Sequence, residues 1–161
     1  MSNRSNVSSG QAQLARLLQR VLGNPQVMLE ATWDWLVSDK NHHMYVDIFV
    51  ADQKLCVEYQ GQQHYFYPNR FHKSYEDFQD QRRRDVLKKE LLVNHGFRYI
   101  AWRFNEPILI THVIDRLEAI GIKIDPKIKE EALEMPAPKP RRRRIKKTNR
   151  SKKTPRKGGN R

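Results

Sequence analysis

Two acidic residues occupy strand-like segments of the sequence where aliphatic side chains are usual. Asp47 lies within Tyr45–Val50 and Glu58 within Leu55–Tyr59, and a short turn-like segment between these runs predicts a β-hairpin. Because side chains alternate along a strand, Glu58 and Gln60 share one face, and Asp47 can meet them across the hairpin. Carboxylate and amide oxygens are ligands that Mg²⁺ accepts, as does Mn²⁺. The spacing therefore predicts a metal-dependent phosphodiesterase.

Either acid taken alone has an ordinary interpretation. A single carboxylate in a strand is more often exposed or paired with a cation, and alternation could place both acids on a solvated face. The polar turn that follows, 61–65, favours a site because it can carry His64 to the same end of the sheet. A neutral imidazole can accept a proton near pH 7, so His64 is a candidate general base. The alternative is a turn histidine that is hydrogen-bonded to the backbone.

A long helix is predicted from Ser74, as its N-cap, to about Asn94. Gln81, Asp85 and Lys88 fall at i, i+4 and i+7 and therefore share one helix face. If that face lies toward Glu58, Lys88 can neutralise a phosphate and Asp85 can orient His64. Otherwise Asp85 and Lys88 form an ordinary surface ion pair, which contributes only a few tenths of a kcal/mol.

These residues also resemble a known family. Asp47, ten intervening residues and then Glu58-Tyr59-Gln60 are similar to the PD-(D/E)xK nuclease motif, in the variant with Gln in place of the final Lys. The surrounding sequence, from about Ser9 to Ile120, resembles very short patch repair endonucleases and phage homing-type endonucleases. Four segments carry the resemblance: Val46–Phe49, Val57–Tyr65, Arg84–Lys88 and Gly96–Ile100.

The resemblance implies an α/β, restriction-endonuclease-like fold with a central mixed four-stranded sheet flanked by helices. It also implies Mg²⁺-dependent (or Mn²⁺-dependent) hydrolysis of DNA, with Asp47, Glu58 and Gln60 as metal ligands. The catalytic residues would be Asp47, Glu58, Gln60, His64, Asp85 and Lys88.

The sequence departs from the family pattern at two positions. Gln60 stands where such proteins have Asp, and Gln11 stands where they often have Glu on the first helix. Each change removes a negative charge that would attract a cation. A second interpretation is therefore a catalytically inactive nucleic-acid-binding protein that retains the nuclease fold.

The distribution of basic residues indicates that the binding partner is a nucleic acid. Between Pro136 and Arg161 the chain has 13 Lys or Arg and no Asp or Glu, which equals its whole net charge of +13. So few apolar residues cannot form a core, which predicts a disordered tail that attracts phosphates without sequence preference. Other interpretations are a localisation signal, a solubilising end, or a packaging protein that binds any polyanion. The tail residues expected to bind nucleic acid are Arg141, Arg142, Arg143, Arg144, Lys146 and Lys147.

A second basic region precedes and enters the long helix. Phe66–Lys73 interleaves aromatic rings with cations, a combination that suits stacking on bases and pairing with phosphates. Packing of these rings onto the sheet is an equal alternative. The residues expected to contact DNA here are Arg70, Lys73, Arg82, Arg83 and Arg84.

The remaining segments supply the scaffold, in the predicted order α, β, β, β, α, β, α. Residues 1–9 are expected to be a flexible start, 10–135 the nuclease-like domain and 136–161 the tail. Hydrophobic periodicity predicts the other elements: a helix Gly10–Leu22, a first strand Gln26–Trp35, an interior strand Phe97–Phe104, a helix Ile108–Ile120 and a short helix after Asp125-Pro126.

The sequence excludes or disfavours several other classes of protein. A single cysteine, Cys56, excludes an internal disulfide framework and is expected in the core. No apolar run is long enough to span a membrane and no signal peptide is visible, so the protein is expected to be soluble and intracellular, either cytoplasmic or nucleoid-associated. An HNH-type nuclease built from His42, His43, Asn94 and His95 is disfavoured by their separation. Nicking or double-strand cleavage depends on whether the protein forms a homodimer, on which the sequence carries no signal.

Overall fold

The computed structural model of the chain describes residues 7–134. They form a four-stranded sheet and four helices. The strands are β1 (Val27–Ala31), β2 (Val46–Val50), β3 (Leu55–Gln60) and β4 (Arg98–Arg103). The helices are α1 (Ser9–Val21), α2 (Tyr75–Asn94), α3 (Ile110–Ala119) and α4 (Pro126–Glu134), with short 3₁₀ turns at Ala51–Gln53 and Gln62–His64. The predicted tail, with Arg141, Arg142, Arg143, Arg144, Lys146 and Lys147, lies outside the described residues.

The sheet has the order β1-β2-β3-β4. Strands β1, β2 and β3 pair in antiparallel fashion, whereas β3 and β4 run parallel. The predicted mixed four-stranded α/β sheet is therefore confirmed. The expectation that β4 is interior is wrong, because β4 is an edge strand. Helices cover both of its faces, and this burial produces the apolar pattern that suggested a central position: Ile100 and Trp102 are buried, and Tyr99 packs on the other face.

Strand β1 is shorter than its sequence pattern suggests. It ends at Ala31 instead of Trp35, and the preceding Glu30 has a left-handed backbone (φ 54°). After the strand, the Thr32 hydroxyl donates to the Met44 carbonyl, 2.8 Å away. Trp33 and Trp35 stack on each other with ring centroids 5.4 Å apart. The alternating apolar residues thus reflect aromatic packing in an irregular segment.

Local signals explain where the two longest helices begin. The Ser8 hydroxyl accepts a hydrogen bond from the Gln11 amide and caps α1. At α2, Ser74 and Asp77 form a reciprocal capping box, in which each side chain accepts from the other residue's backbone N–H. Gly96 follows α2 at a positive φ of 81°, a conformation that glycine adopts without strain. The position of α2 along the chain was therefore predicted correctly.

Two cores lie on opposite faces of the sheet. The first, between the sheet and helices α1 and α3, is called the α1/α3 face; its buried members include Leu18, Val57, Trp102 and Leu117. The second lies under α2 and is called the α2 face. There Cys56 packs with Leu92, as expected for a core cysteine, next to a cluster of aromatic rings. Within residues 7–134, no helix is long and apolar enough to cross a membrane.

Candidate active site

Asp47 and Glu58 are neighbours across the β2–β3 hairpin. The register pairs Ile48 with Val57, so one residue further along both strands Asp47 lies opposite Glu58. The Oδ2 atom of Asp47 accepts a hydrogen bond from the Tyr59 amide at 2.8 Å. Its main-chain oxygen accepts one from Gln11 Nε2 at 2.9 Å. The bond from β3 therefore holds the carboxylate of Asp47, and the bond from α1 holds its backbone.

The second carboxylate is almost fully buried. Glu58 is only 7% exposed, and its Oε2 accepts a hydrogen bond from Lys88 Nζ at 2.8 Å. Lys88 also donates to the Tyr45 carbonyl at 2.9 Å. The other oxygen, Glu58 Oε1, is buried without a hydrogen-bond partner among the described residues. A buried carboxylate oxygen without a partner is costly, and binding of a cation or a proton would relieve that cost.

Burial shifts the proton equilibria of this group. Burial, with a smaller contribution from the charge of Asp47, raises the pKa of Glu58 to about 7 even though Lys88 opposes the shift. Burial also raises the pKa of Asp47, and the hydrogen bond from Tyr59 offsets part of that rise. Burial lowers the pKa of Lys88, but the charge and hydrogen bond of Glu58, together with the charges of Asp47 and Asp85, outweigh it, so the pKa of Lys88 is raised. Protons and cations therefore compete for the Glu58 carboxylate near neutral pH.

His64 is held by α2 at the same end of the sheet. Its Nδ1 lies 2.7 Å from Asp85 Oδ2, and Gln81 Nε2 lies 3.0 Å from the same ring nitrogen and 3.2 Å from Nε2. The side-chain oxygen of Gln81 is hydrogen-bonded in turn to His72 Nε2. The helix face that carries Gln81, Asp85 and Lys88 does lie toward Glu58. From the sequence, Gln81 was noted only for its position on that face, and His72 only as a member of the aromatic and basic connection.

These groups line one open cleft, called here the carboxylate cleft, with a volume of about 650 Å³. Besides the predicted Asp47, Glu58, His64, Asp85 and Lys88, it contains Gln11, Glu30, Tyr45, Gln81 and Arg84. Glu30 was missed by the sequence analysis. Its carboxylate accepts a hydrogen bond from Gln11 Nε2 at 3.1 Å and raises the pKa of Asp47 further. A single acid in a short strand gave the only signal that could have indicated it.

Gln60 is separated from the carboxylate cleft. Its Oε1 accepts a hydrogen bond from the Tyr65 hydroxyl, and its side chain lines a smaller cavity of about 250 Å³. His64 and Asp85 line both spaces, so they form the wall between them. The side-chain oxygen expected to be the third metal ligand therefore does not join Asp47 and Glu58 in this structure.

The donor set can be compared with what Mg²⁺ requires. Within residues 7–134, no three His, Cys, Asp or Glu side chains are placed to hold a metal ion together. The cleft instead offers two hard carboxylates, one of which has a buried oxygen without a partner. Because Mg²⁺ is often bound by one or two carboxylates with water and substrate phosphate in its other positions, Asp47 and Glu58 fit this mode. Gln60 does not contribute to it.

The three consecutive arginines of α2 point in different directions. Arg84 lines the carboxylate cleft, Arg82 lines the Gln60 cavity, and Arg83 pairs with Asp80. All three are exposed.

The aromatic and basic connection before α2 contains both packed and exposed rings. Tyr65 and Phe66 contact Phe104, whereas the Phe71 ring is 59% exposed, with the Arg70 guanidinium 4.7 Å from its centroid. Lys73 is exposed, and its backbone amide donates to Asp77 at the start of α2.

Comparison with known proteins gives one sequence relative. The uncharacterized protein 307L of Invertebrate iridescent virus 6 is 30% identical to this chain over 105 residues, which is 62% of this chain. The matched region is 53% of the viral protein, so the chain spans about half the length of that relative. No family model and no solved structure matches the chain.

Proposed function

We propose that this protein is a metal-dependent endonuclease that hydrolyses DNA phosphodiester bonds, with a restriction-endonuclease-like fold. The observation that supports the proposal most directly is the buried Glu58 carboxylate beside Asp47, contacted on one oxygen by Lys88 and without a partner on the other. Burial of such a group is costly, and a metal ion that stabilises charge on a phosphate requires carboxylate oxygens of this kind.

Each side chain has a role in this proposal. Asp47 and Glu58 would hold Mg²⁺ or Mn²⁺, which polarises a phosphate and lowers the pKa of a bound water. His64 accepts the proton of the attacking water at Nε2, while Asp85 accepts a hydrogen bond from Nδ1–H and fixes that tautomer. Lys88 offsets negative charge that develops on the phosphate. Gln11 and Tyr59 position Asp47 through their hydrogen bonds.

A second candidate function is supported by the position of Gln60. With its oxygen bound to Tyr65 and Gln11 in place of an acid, the cleft has fewer metal-binding oxygens than the motif suggests. A nucleic-acid-binding protein that has lost cleavage is consistent with this arrangement. Arg70, Lys73, Arg82, Arg83 and Arg84, together with the basic tail, would then serve binding alone.

Cleavage of supercoiled plasmid and branched DNA, with Mg²⁺, Mn²⁺ or EDTA, separates the two functions. The variants are Asp47→Asn and Glu58→Gln, since each keeps the side-chain size and Gln can still accept from Lys88. We expect metal-dependent cleavage by the native protein and a loss of about a thousandfold in each variant, with DNA binding retained.

Asp115→Asn is the matched control, because Asp115 is an exposed acid on α3 and lies outside the carboxylate cleft. It should cleave like the native protein. Absence of cleavage in all proteins, with equal DNA binding, would identify the binding protein instead. Cleavage that survives both cleft substitutions would refute the assignment of the site.

A further inference from the structure

A second cavity adjoins the carboxylate cleft on the side away from Gln60. This side cavity has a volume of about 450 Å³ and lies between the loop 38–42, the segment 71–72 and the first half of α2. Phe71, Gln81 and Arg84 line both the side cavity and the carboxylate cleft. The two spaces are therefore neighbours along one groove, and a chain-like ligand can occupy both.

The side cavity is balanced in charge. Lys40 and Arg83 both pair with Asp80, and the Asp77 carboxylate accepts hydrogen bonds from the backbone amides of Lys73 and Ser74. Its formal charges are three of each sign: Asp39, Asp77 and Asp80 against Lys40, Arg83 and Arg84. A polyanionic backbone gains little attraction from such a lining. A neutral, polar ligand fits it better.

One wall of the side cavity is an aromatic ring that is held in place. The Phe71 and His72 amides both donate to Asn69 Oδ1, at 2.9 and 3.2 Å, which fixes the loop that carries the ring. The ring is 59% exposed although Arg70 lies over it. Gln81 and His72, which are hydrogen-bonded to each other, line the same cavity together with the polar Ser38 and Asp39. A planar heterocycle can stack on such a ring and hydrogen-bond at its edge, and the volume is in the range of small-molecule pockets.

Arg84 connects the two spaces. It lines both and makes no ion pair with any residue between 7 and 134. Its guanidinium is therefore free to bind a phosphate between a group in the cleft and a group in the side cavity.

We propose that the side cavity binds one unpaired nucleobase of the DNA strand whose phosphate lies in the carboxylate cleft, with the base stacked on Phe71 and Arg84 on the intervening phosphate. The position of the phosphate rests on the proposed function; the base site rests on the side cavity itself. Removing a base from a duplex costs a few kcal/mol, and least where the base is already unpaired. The preferred substrate is therefore DNA with an unpaired base close to the scissile phosphate, such as a single strand or a fork.

The test compares Phe71→Ala with Phe66→Ala in the full-length protein. Phe66 is a fair control because its ring is 58% exposed but lines neither cavity. Binding of a single-stranded oligonucleotide containing 2-aminopurine, and of the same sequence as a paired duplex, is measured by anisotropy and by 2-aminopurine fluorescence. EDTA prevents metal-dependent cleavage, and about 0.2 M salt weakens non-specific attraction to the tail.

We expect the native protein and Phe66→Ala to bind the single strand about tenfold or more tighter than the duplex. Phe71→Ala should lose about 5- to 100-fold in single-strand affinity and lose the 2-aminopurine fluorescence change, with little effect on duplex binding. Equal losses in both variants, or equal native affinity for single strand and duplex, would overturn the base site. Because no cleavage is measured, this result is independent of the plasmid assay: a Phe71-dependent signal without any nuclease activity would support the side cavity and refute the proposed function.

Discussion

The two faces of the sheet differ in what they bury. On the α1/α3 face the core consists of aliphatic side chains and Trp102. On the α2 face an apolar cluster around Cys56 and Leu92 occupies one part, and Glu58, Lys88, His64 and Asp85 occupy another. Burial of apolar surface stabilises the fold, whereas burial of an ion pair seldom does. The comparison indicates that the α1/α3 face stabilises the fold by apolar burial. Part of the α2 face instead holds charged groups close together, at a cost in stability.

The largest expected effect on stability belongs to the α1/α3 face. Leu117→Ala removes a fully buried side chain from α3 and should lower the free energy of unfolding by about 3 kcal/mol or more, because a cavity remains. Thermal or urea unfolding measures this loss. Val93→Ala, at a position that is 50% exposed on α2, should be nearly neutral. If Leu117→Ala abolished metal-dependent cleavage in protein that is still folded, the two faces would not be separate in role.

Lys88→Met tests the cost of the charge pair on the α2 face. We expect cleavage to fall about a hundredfold, since the cation near the phosphate is lost. Without Lys88 the pKa of Glu58 rises further, so the variant should lose more stability at pH 8 than at pH 6, where Glu58 takes up a proton.

The neighbouring Lys89 provides the control for this substitution. Lys89 is exposed on the same helix and does not line the carboxylate cleft, so Lys89→Met should cleave normally and show no such pH dependence. Urea unfolding at the two pH values, together with the plasmid assay, distinguishes the variants. Equal behaviour of the two would mean that the Lys88–Glu58 pair has no special role.

The smallest expected effect is the pH dependence that Glu58 gives to stability and to cleavage. Burial raises the pKa of Glu58 from 4.5 to about 7, so in the metal-free protein this group favours folding below about pH 4.5, and that contribution is lost as pH rises through 7. Glu58→Gln should remove this loss. In the same range cleavage should increase with pH, by up to about tenfold per unit below 7, because the carboxylate must lose its proton to bind metal.

The concentration of Mg²⁺ tests whether Glu58 sets this pH profile. More Mg²⁺ should move the midpoint of the cleavage rate to lower pH, since the ion competes with the proton on Glu58. Titration of a base that does not bind metal would leave the midpoint unchanged. A midpoint independent of Mg²⁺ would therefore contradict the role assigned to Glu58.

Much of the fold follows from local signals. The Ser74 cap, Gly96 after the helix, and the alternation in the β2–β3 hairpin each depend on residues that are close in sequence. The predictions for β1 and β4 were wrong in extent or position. Apolar residues in a sequence indicate burial, but they do not indicate strand length or strand order. Trp33 and Trp35 are packed without belonging to a strand, and β4 lies at the sheet edge although helices cover it.

The sequence by itself determined which chemical groups are present and that Asp47 and Glu58 lie on the two strands of one hairpin, because turn signals and strand alternation are local properties. It also determined that Gln81, Asp85 and Lys88 share a helix face. Only the tertiary structure decided that this face meets Glu58, that Gln60 turns to Tyr65, and that Glu30 and Phe71 border the cleft. Those contacts depend on how α2, the loop before it and the sheet edge pack together, and no short-range pattern encodes that packing.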